Sequence, residues 1–418
     1  MLHQNPTDSW GATRSITEAE LVALTLRLTD PNNTTGGAGI SLVKKAHGSF
    51  NQIYIMQLPS GAKRAIRVPG RGQVGVWNDS DAAGLSNQVL VMKYIRNTTT
   101  LPVPGVFAYD TTHNNEIGYP FMMMEGIAGK NVSDVWGWRQ ELTPELEGKR
   151  LRILKSLAVT MTSLRHIDFP ALGRLDFDGE DFENPSVVAV GPGNRSSRQY
   201  FEDRYDELVR TMRYAHGGSR ERHVKLEMVR MLMEALPCSA TNTPANAPPE
   251  TFVLRAPDFN WQNIMVDDTG DVVAIIDWDG VETVPRFLGW AKPPMFLCAD
   301  FDPSWSWQGG PGNAPSKLEF YRKEYARFMA EAMGGQGDCV YAGKSHLYDH
   351  VLGALEEPTL TSDIIDRLLV AAIPRVSWEK ISARVVERGW APGEKEFIQE
   401  RLQLLMRPVA GADHNFSF

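Results

Sequence analysis

Two oxygen-bearing side chains flank a segment whose composition is typical of a β-hairpin. Asn263 precedes the apolar run 264–266, Asp277 follows the apolar run 272–276, and residues 267–270 between the runs read Asp-Asp-Thr-Gly. This turn composition predicts an antiparallel hairpin, whose open end would bring Asn263 and Asp277 side by side. Mg²⁺ prefers oxygen ligands and is usually held by one or two carboxylates together with waters and substrate phosphates. The hairpin therefore predicts a magnesium site at Asn263 and Asp277.

A carboxylate that could act as a general base lies just before the hairpin. Asp258 stands five positions before Asn263, which is the spacing of the catalytic base and the metal-binding asparagine in the kinase catalytic loop. Taken alone, Asp258 could be a turn residue after a strand, and Asp277 could cap a strand end. The order of base, asparagine, hairpin and terminal aspartate favours a catalytic interpretation, in which Asp258 orients an attacking hydroxyl and accepts its proton.

The same segment resembles a known family. Residues 258–264 (Asp-Phe-Asn-Trp-Gln-Asn-Ile) and 275–280 (Ile-Ile-Asp-Trp-Asp-Gly) look like the aminoglycoside phosphotransferase and choline kinase-like family, and most like its large fungal branch. The resemblance runs from about Leu42 to the C-terminal helices. It implies an α+β, protein kinase-like bilobal fold, with a small antiparallel β-sheet N-lobe and a larger, mainly α-helical C-lobe. It also implies ATP and Mg²⁺ as cofactors and a small-molecule hydroxyl acceptor as the partner.

The N-terminal third has the pattern of a helix followed by a β-meander. Residues 17–28 have helical periodicity, and 42–58 and 65–69 have strand character around a Pro-Ser-Gly turn. In the short loop between the first two strands, Gly48 and Ser49 could turn backbone N–H groups toward phosphate oxygens. One glycine is a weak signal, and a plain hairpin is the alternative. The resemblance implies that this loop covers the nucleotide phosphates, with Ser49 as the contacting side chain.

A cation and an amide stand where the family places its phosphate-gripping pair. Arg67 occupies the position of the lysine that contacts the α- and β-phosphates of ATP in a kinase-like N-lobe. Arginine keeps the charge and can contact two phosphate oxygens at once. On the predicted helix 85–97, Gln88 stands where a glutamate would normally pair with that cation. We therefore predict a hydrogen-bonded Arg67–Gln88 pair, weaker than an ion pair; an exposed edge-strand arginine is the alternative.

The next two strands lead to a segment that resembles the interlobe hinge. Residues 106–109 and 119–125 have strand character, and the second strand ends in Met-Met-Met-Glu-Gly. The resemblance implies that the backbone of Met124 and Glu125 faces the adenine ring. The methionine side chains themselves are typical of core packing, because unbranched methionine fills gaps in any core.

Helical patterns dominate the rest of the chain, so we predict three regions: an N-terminal helix and linker at 1–40, an N-lobe at 41–127, and a C-lobe at 128–418. A linker is expected at 241–249. The predicted C-lobe helices are 143–166, one or two helices in 198–236 with a break at Gly217-Gly218, and then 317–333, 361–371 and 392–405.

Composition excludes several function classes. The 418 residues carry a net charge of −8, and no basic stripe interleaved with aromatic residues appears, so nucleic-acid binding is not expected. No apolar run reaches the length of a membrane span, and the first thirty residues lack a signal-peptide pattern, so we expect a cytosolic protein. The cysteines Cys238, Cys298 and Cys339 are widely spaced and do not form a metal-ligand pattern.

These observations predict an ATP-dependent phosphotransferase that moves the γ-phosphate to a hydroxyl of a small metabolite or antibiotic-like acceptor. The alternative is a kinase-like pseudoenzyme that binds nucleotide or a partner without transfer. Arg67, Gln88 and Ala256, the last standing where the family commonly has histidine, motivate this alternative, whereas the retained base and metal ligands oppose it. A protein kinase ranks lower, because the triple-glycine loop and the strand lysine are absent. Aminoglycoside, choline-like amine, sugar and secondary metabolite all stay open as acceptors, and so does the oligomeric state.

Overall fold

The computed structural model describes residues 15–409 apart from 33, 35, 190–195, 214–217, 240–248, 304, 306 and 308–310. The predicted linker at 241–249 therefore lies almost entirely outside the described residues. The chain divides into two compact units: unit 1 comprises Met1–Lys130, Leu175–Ser186 and Val273–Gly280, and unit 2 comprises Asn131–Arg174, Val187–Val272 and Val281–Phe418. The functional division at 1–40, 41–127 and 128–418 stays a prediction.

Unit 1 is built on a five-stranded antiparallel sheet. Its strands are β1 (Ser41–His47), β2 (Asn51–Gln57), β3 (Lys63–Pro69), β4 (Val106–Asp110) and β5 (Phe121–Glu125), in the order β1-β2-β3-β5-β4. The side chains of β2 alternate between buried and half-buried, as expected for a strand with one face on a core. Helix α1 (Glu18–Thr29) adds Leu21 and Leu24 to the same core as Tyr54 and Met56. The predicted leader helix and β-meander are confirmed.

Helix α2 (Asp79–Thr98) begins well before the predicted start at Leu85. The Asn78 side chain accepts hydrogen bonds from the N–H groups of Ser80 and Asp81, and the Asp81 carboxylate accepts one from the Asn78 N–H. This reciprocal capping box satisfies backbone donors that a helix start otherwise leaves open. The first turns carry few apolar residues, so hydrophobic periodicity alone did not find them.

Short strands form two further sheets. The strands are β6 (Lys130–Asn131), β7 (Gly173–Asp176), β8 (Ser186–Ala189), β9 (Val253–Arg255), β10 (Ile264–Val266), β11 (Val272–Ile275) and β12 (Glu282–Val284). Their orders are β11-β10-β6 and β8-β7-β12-β9. Between β10 and β11 the Gly270 N–H donates to the Asp267 carbonyl over 3.1 Å and the Asp267 N–H donates to the Asp271 carbonyl over 2.9 Å. Gly270 has φ +96°, which favours glycine. The predicted hairpin is confirmed.

α-Helices are the main secondary structure of unit 2. They are α3 (Val132–Val135), α4 (Pro144–Met161), α5 (Ser197–Met212), α6 (Ser219–Glu234), α7 (Pro315–Met333), α8 (Ser345–Glu356), α9 (Thr361–Ala372), α10 (Trp378–Arg388) and α11 (Glu394–Met406). The predicted helices are confirmed within a few residues, but α3, α8 and α10 were missed, and residue 217 of the predicted break at 217–218 lies outside the described residues. Helix α8 buries eight of its twelve residues, including Ser345 and His346, and so lacks a simple one-faced pattern. No helix in the described ranges is long and apolar enough to cross a membrane.

Candidate active site

The loop after β9 brings the predicted base and the predicted metal ligand into contact. Asn260 begins a 3-10 helix at Trp261–Asn263, with its side-chain oxygen accepting from the Trp261 N–H over 2.9 Å. This tight turn places the Asn263 Nδ2 group 2.9 Å from the Asp258 carbonyl and 2.8 Å from Asp258 Oδ2. Gln262 donates a second hydrogen bond to Asp258 Oδ2, also over 2.8 Å. The sequence analysis did not find Gln262, whose only signal is its position beside the asparagine.

The same hydrogen bonds show which side-chain oxygens of Asp258 and Asn263 remain available to a ligand. Both amide donors meet Oδ2 of Asp258, and within the described ranges no hydrogen bond reaches its Oδ1. The Asn263 amide nitrogen is held by Asp258, so its Oδ1 atom is the one left for a cation. Asn263 is only 7% exposed, which keeps its rotamer restricted by packing. Amide and carboxylate oxygens such as these fit a hard cation such as Mg²⁺, which prefers oxygen ligands.

An ion network anchors the strand that leads to Asp258. Arg255 pairs with Glu282, its register partner on β12, and lies 3.9 Å from the Asp349 carboxylate. Asp349 also accepts from the Lys292 ammonium over 2.9 Å. Burial lowers the pKa of Arg255, but the surrounding acidic groups, Glu282 and Asp349 foremost, together raise it more, so the net pKa is raised and the guanidinium stays charged. The network therefore anchors the end of β9, from which the chain continues through Ala256 to Asp258.

A second cluster lies in unit 1 around Arg67 on β3. The Arg67 side chain is only 8% exposed, and its Nη2 atom contacts Asp277 Oδ1 at 3.3 Å and Asp279 Oδ2 at closer range. Within the part of the chain that the structure describes, these two carboxylates are its ion-pair partners. The predicted Arg67–Gln88 hydrogen bond is wrong: Gln88 is buried, but in that part of the chain the Arg67 guanidinium donates to Asp277 and Asp279 and not to the Gln88 amide oxygen. Two carboxylates attract the guanidinium more strongly than a neutral amide.

Asp277 has an unusual backbone conformation. Its φ of +65° lies in the left-handed region, which a non-glycine residue seldom adopts. Trp278 is buried beside it, and the indole N–H donates to the Ile275 carbonyl over 2.9 Å. Backbone outliers of this kind cluster at functional sites because the surrounding structure must hold them. The observation is consistent with a functional role for Asp277.

The loop between β1 and β2 is exposed, and part of its backbone is already engaged. The Gly48 N–H donates to the Asn51 carbonyl over 2.9 Å, and the Phe50 carbonyl accepts from Gly70 over 2.8 Å. Gly48 therefore has no free N–H for an anion in this conformation. Ser49 is exposed at the tip, and its contact with phosphate stays a prediction.

The predicted hinge backbone is also engaged. Met124 pairs with Ala65 of β3 and Val106 of β4, and the Glu125 N–H donates to the Gly105 carbonyl over 2.8 Å. The Gly126 N–H donates to the Lys63 carbonyl over 3.1 Å, and a Cβ at Gly126 would come within 2.6 Å of the Lys63 Cβ. The next N–H in the chain, that of Ile127, meets no backbone carbonyl in the described ranges. The adenine-facing roles of Met124 and Glu125 stay predictions.

The structure therefore brings together two groups of the predicted residues. Asp258 and Asn263 are in contact within unit 2, and Arg67 and Asp277 are in contact within unit 1. A metal ion shared by Asn263 and Asp277 stays a prediction. No group of three or more His, Cys, Asp or Glu side chains in the described ranges is placed to hold a metal ion.

Comparison with protein families assigns the chain. The sequence model of the phosphotransferase enzyme family matches residues 76–287, slightly more than half of the chain. The chain belongs to this phosphotransferase family. The match includes Asp258, Asn263 and Asp277, whereas Arg67 lies before it. Membership of the phosphotransferase family, together with the antiparallel sheet followed by a helical unit, confirms the predicted α+β, kinase-like fold class and the resemblance on which it was based.

Curated relatives of this phosphotransferase are fungal and longer. A subtelomeric hrmA-associated cluster protein of Aspergillus fumigatus is 29% identical over 169 residues, which are 38% of this chain and 30% of that protein. The altered inheritance of mitochondria protein 9 of Candida albicans is 28% identical over 143 residues, which are 33% of this chain and 22% of that protein. The chain thus spans less than a third of the length of these two relatives.

Two solved structures are similar over most of both chains. A putative aminoglycoside phosphotransferase from Ralstonia eutropha has a TM-score of 0.47 at 16% identity and covers 93% of this chain and 95% of its own. An ethanolamine kinase from Plasmodium vivax has a TM-score of 0.43 at 10% identity and covers 95% of this chain and 98% of its own.

Proposed function

We propose that this protein transfers the γ-phosphate of ATP to a hydroxyl group of a small-molecule acceptor, with Mg²⁺ as the metal. The observation that carries the proposal is the Asp258–Asn263 contact within the segment matched by the phosphotransferase family. One asparagine amide both fixes the carboxylate and leaves its own oxygen for a cation. A turn that served only the fold would not need a fixed carboxylate next to a free amide oxygen.

Asp258 is the group that would meet the acceptor. With Oδ2 held by Gln262 and Asn263, the carboxylate is fixed and its Oδ1 atom can accept a hydrogen bond from the acceptor hydroxyl. This contact aligns the hydroxyl oxygen for attack on the γ-phosphorus and receives the proton as the oxygen attacks. Positioning of this kind supplies much of the rate enhancement in phosphoryl transfer.

Asn263 and Asp277 are the proposed metal ligands. Mg²⁺ held there would supply positive charge that offsets the negative charge of the phosphates during transfer. Arg67 contacts Asp277 and Asp279 instead of standing free, so its first role is to hold these carboxylates in place. We assign the nucleotide phosphates to the loop at Ser49 and the adenine ring to the backbone at 124–127. In that backbone, the Ile127 N–H is a donor that meets no backbone carbonyl in the described ranges.

An assay of ATP consumption against a panel of hydroxylated acceptors tests the proposal. The panel contains aminoglycosides, choline and ethanolamine, sugars, and hydroxylated secondary metabolites. With an accepted substrate, Asp258→Asn should lower kcat by about 10²- to 10⁴-fold, because general-base catalysis contributes that much. Asp206→Asn, which changes an exposed carboxylate on α5 of the same unit, should leave kcat unchanged.

Two results would contradict the proposal. One is transfer that persists at the native rate in Asp258→Asn. The other is tight, Mg²⁺-dependent binding of ATP without phosphorylation of any acceptor, which would support the pseudoenzyme alternative.

A further inference from the structure

Unit 2 contains a cavity that none of the proposed catalytic residues line. Its volume is about 510 Å³, and it lies among the 3-10 helix at Met295–Phe301 and the helices α7 and α8. Pockets for small molecules typically measure about 300–1,000 Å³. Its apolar walls are formed by Phe301, Pro315, Ala326, Val340, Leu347, Ala371, Leu405 and Val409.

Most of the charged side chains that line the cavity are already paired. Arg322 donates to both oxygens of Asp300, with Nη2 at 2.9 Å from Oδ2. The Lys323 ammonium lies 2.8 Å from Glu319. Arg327 contacts Glu324 at 2.6 Å and also contacts Glu331. Each of these three cations is thus matched by at least one carboxylate and leaves little demand for an anionic ligand.

Lys344 is the exception. Its ammonium makes no ion pair or hydrogen bond to any residue that the structure describes. Burial lowers the pKa of Lys344 and the nearby charge of Lys323 lowers it further, which together outweigh the raising effect of the Glu319 carboxylate. An ammonium that is partly removed from water without a partner is unfavourable, and an anion beside it would relieve this cost.

A second polar group of the cavity also lacks a partner. His346 is 92% buried (8% exposed), and its Nδ1 atom has no hydrogen-bond partner in the described ranges. Burial, together with the charges of Arg322, His350 and Lys344, lowers the pKa of His346 well below its ordinary value, so the ring is neutral at neutral pH. A neutral imidazole can donate one hydrogen bond from a ring nitrogen. Buried polar groups without partners are uncommon in native structures and call for an explanation.

We propose that this cavity binds a small organic monoanion with an apolar body, such as a medium-chain carboxylate. The carboxylate would lie against the Lys344 ammonium and accept a hydrogen bond from His346, and the apolar body would contact Leu347, Ala371 and Val409. One unpaired cation favours a single negative charge on the ligand. The apolar walls disfavour a hydrophilic anion such as inorganic phosphate. The site does not depend on the proposed phosphoryl transfer, because it shares no residue with it.

Calorimetric titration of the full chain without nucleotide tests the proposal. The probes are octanoate, octan-1-ol and octylammonium, which share the apolar chain and differ in the charge of the head group. Octanoate should bind with one site per chain and at least tenfold more tightly than the other two. Lys344→Gln should weaken octanoate binding about tenfold and leave octan-1-ol binding unchanged. Lys380→Gln, at an exposed lysine of α10, is the matched control and should have no effect.

A second variant separates the cavity from any other surface. Ala326→Phe places a ring inside the cavity and should abolish binding of both octanoate and octan-1-ol, with circular dichroism and the unfolding midpoint confirming that each variant is folded. Octanoate binding that is unchanged in Lys344→Gln and in Ala326→Phe would overturn the proposal. So would equal affinity for octanoate and octylammonium, or no octanoate binding by the native chain.

Discussion

At the scale of single residues, amide groups do much of the positioning in this protein. Asn263 and Gln262 both donate to one oxygen of Asp258 and thereby leave the other oxygen for a substrate. Neighbouring side chains on a 3-10 turn can do this because the turn is tight. In unit 1, by contrast, a buried arginine positions two partly exposed carboxylates, Asp277 and Asp279.

The contact between Arg67 and Asp279 can be measured by a double-mutant cycle on stability. Arg67→Met and Asp279→Asn, alone and together, should give a coupling free energy of about 1 kcal/mol, because Arg67 is buried whereas the side chain of Asp279 is 51% exposed. Urea unfolding provides the measurement. Arg67→Met combined with Asp79→Asn, at an exposed carboxylate of α2, should show no coupling. A coupling near zero for the Asp279 pair would show that the contact contributes nothing.

At the scale of secondary-structure elements, the β10–β11 turn depends on one carboxylate. Asp267 Oδ1 accepts from the Thr269 hydroxyl and from the N–H groups of Thr269, Gly270 and Asp271. The Thr269 hydroxyl and these N–H groups lower the pKa of Asp267 below its ordinary value of 3.8. A charged carboxylate at this position therefore stabilises the folded hairpin.

The sign of the resulting pH dependence follows from linkage. The lowered pKa means that the stabilisation is complete above the ordinary pKa of 3.8 and is lost as the pH falls through the lower pKa of the folded state. The native chain should therefore unfold at a higher temperature than Asp267→Asn at pH 6, and the difference should shrink toward pH 3. Asp206→Asn should show no such trend. A difference that grows as the pH falls would refute the assignment.

Helix α4 carries a buried cation, Arg150, that has no carboxylate partner among the residues that the structure describes. Arg150 is fully buried and donates to the carbonyls of Trp136, Gly137 and Gly312 over 2.7 to 3.0 Å. Arg150→Met should lower the free energy of unfolding by about 3 kcal/mol, because three buried carbonyls lose their donor. Arg152→Met on the same helix removes an exposed pair with Asp271 and should lower the free energy of unfolding far less, because solvent screens exposed ion pairs. Urea unfolding compares the two; equal losses would contradict the interpretation.

At the scale of the whole molecule, bound nucleotide and metal should stabilise the native state. The non-hydrolysable analogue AMP-PNP with Mg²⁺, at a hundred times its Kd, should add about 2.7 kcal/mol to the free energy of unfolding, and EDTA should remove most of this gain. Asp277→Asn keeps a side chain that tolerates the left-handed backbone and should abolish the Mg²⁺-dependent part. Asp279→Asn weakens a contact with Arg67, as Asp277→Asn does, but it leaves the proposed metal ligands unchanged. It should therefore retain the Mg²⁺-dependent gain in stability. Equal behaviour of the two variants in a thermal-shift measurement would exclude Asp277 as a metal ligand.

The sequence by itself determined the family, the α+β fold class and the hairpin, and the five-residue spacing of Asp258 and Asn263 singled out both residues. These features depend on short separations along the chain, where turn composition and residue spacing leave few conformations. Most helices were likewise found from local periodicity. The start of α2 was missed because capping, and not hydrophobicity, defines it.

Only the tertiary structure decided what Arg67 contacts. Its partners Asp277 and Asp279 are 210 and 212 positions away, so no local pattern could choose them over Gln88, and the choice follows from the greater attraction of charged groups in a partly buried place. The sequence also could not show that the Lys344 ammonium and the His346 Nδ1 atom have no hydrogen-bond partner among the described residues. Their lack of partners is a property of the packed helices around them, because burial and the absence of a neighbour are defined only once the chain has folded.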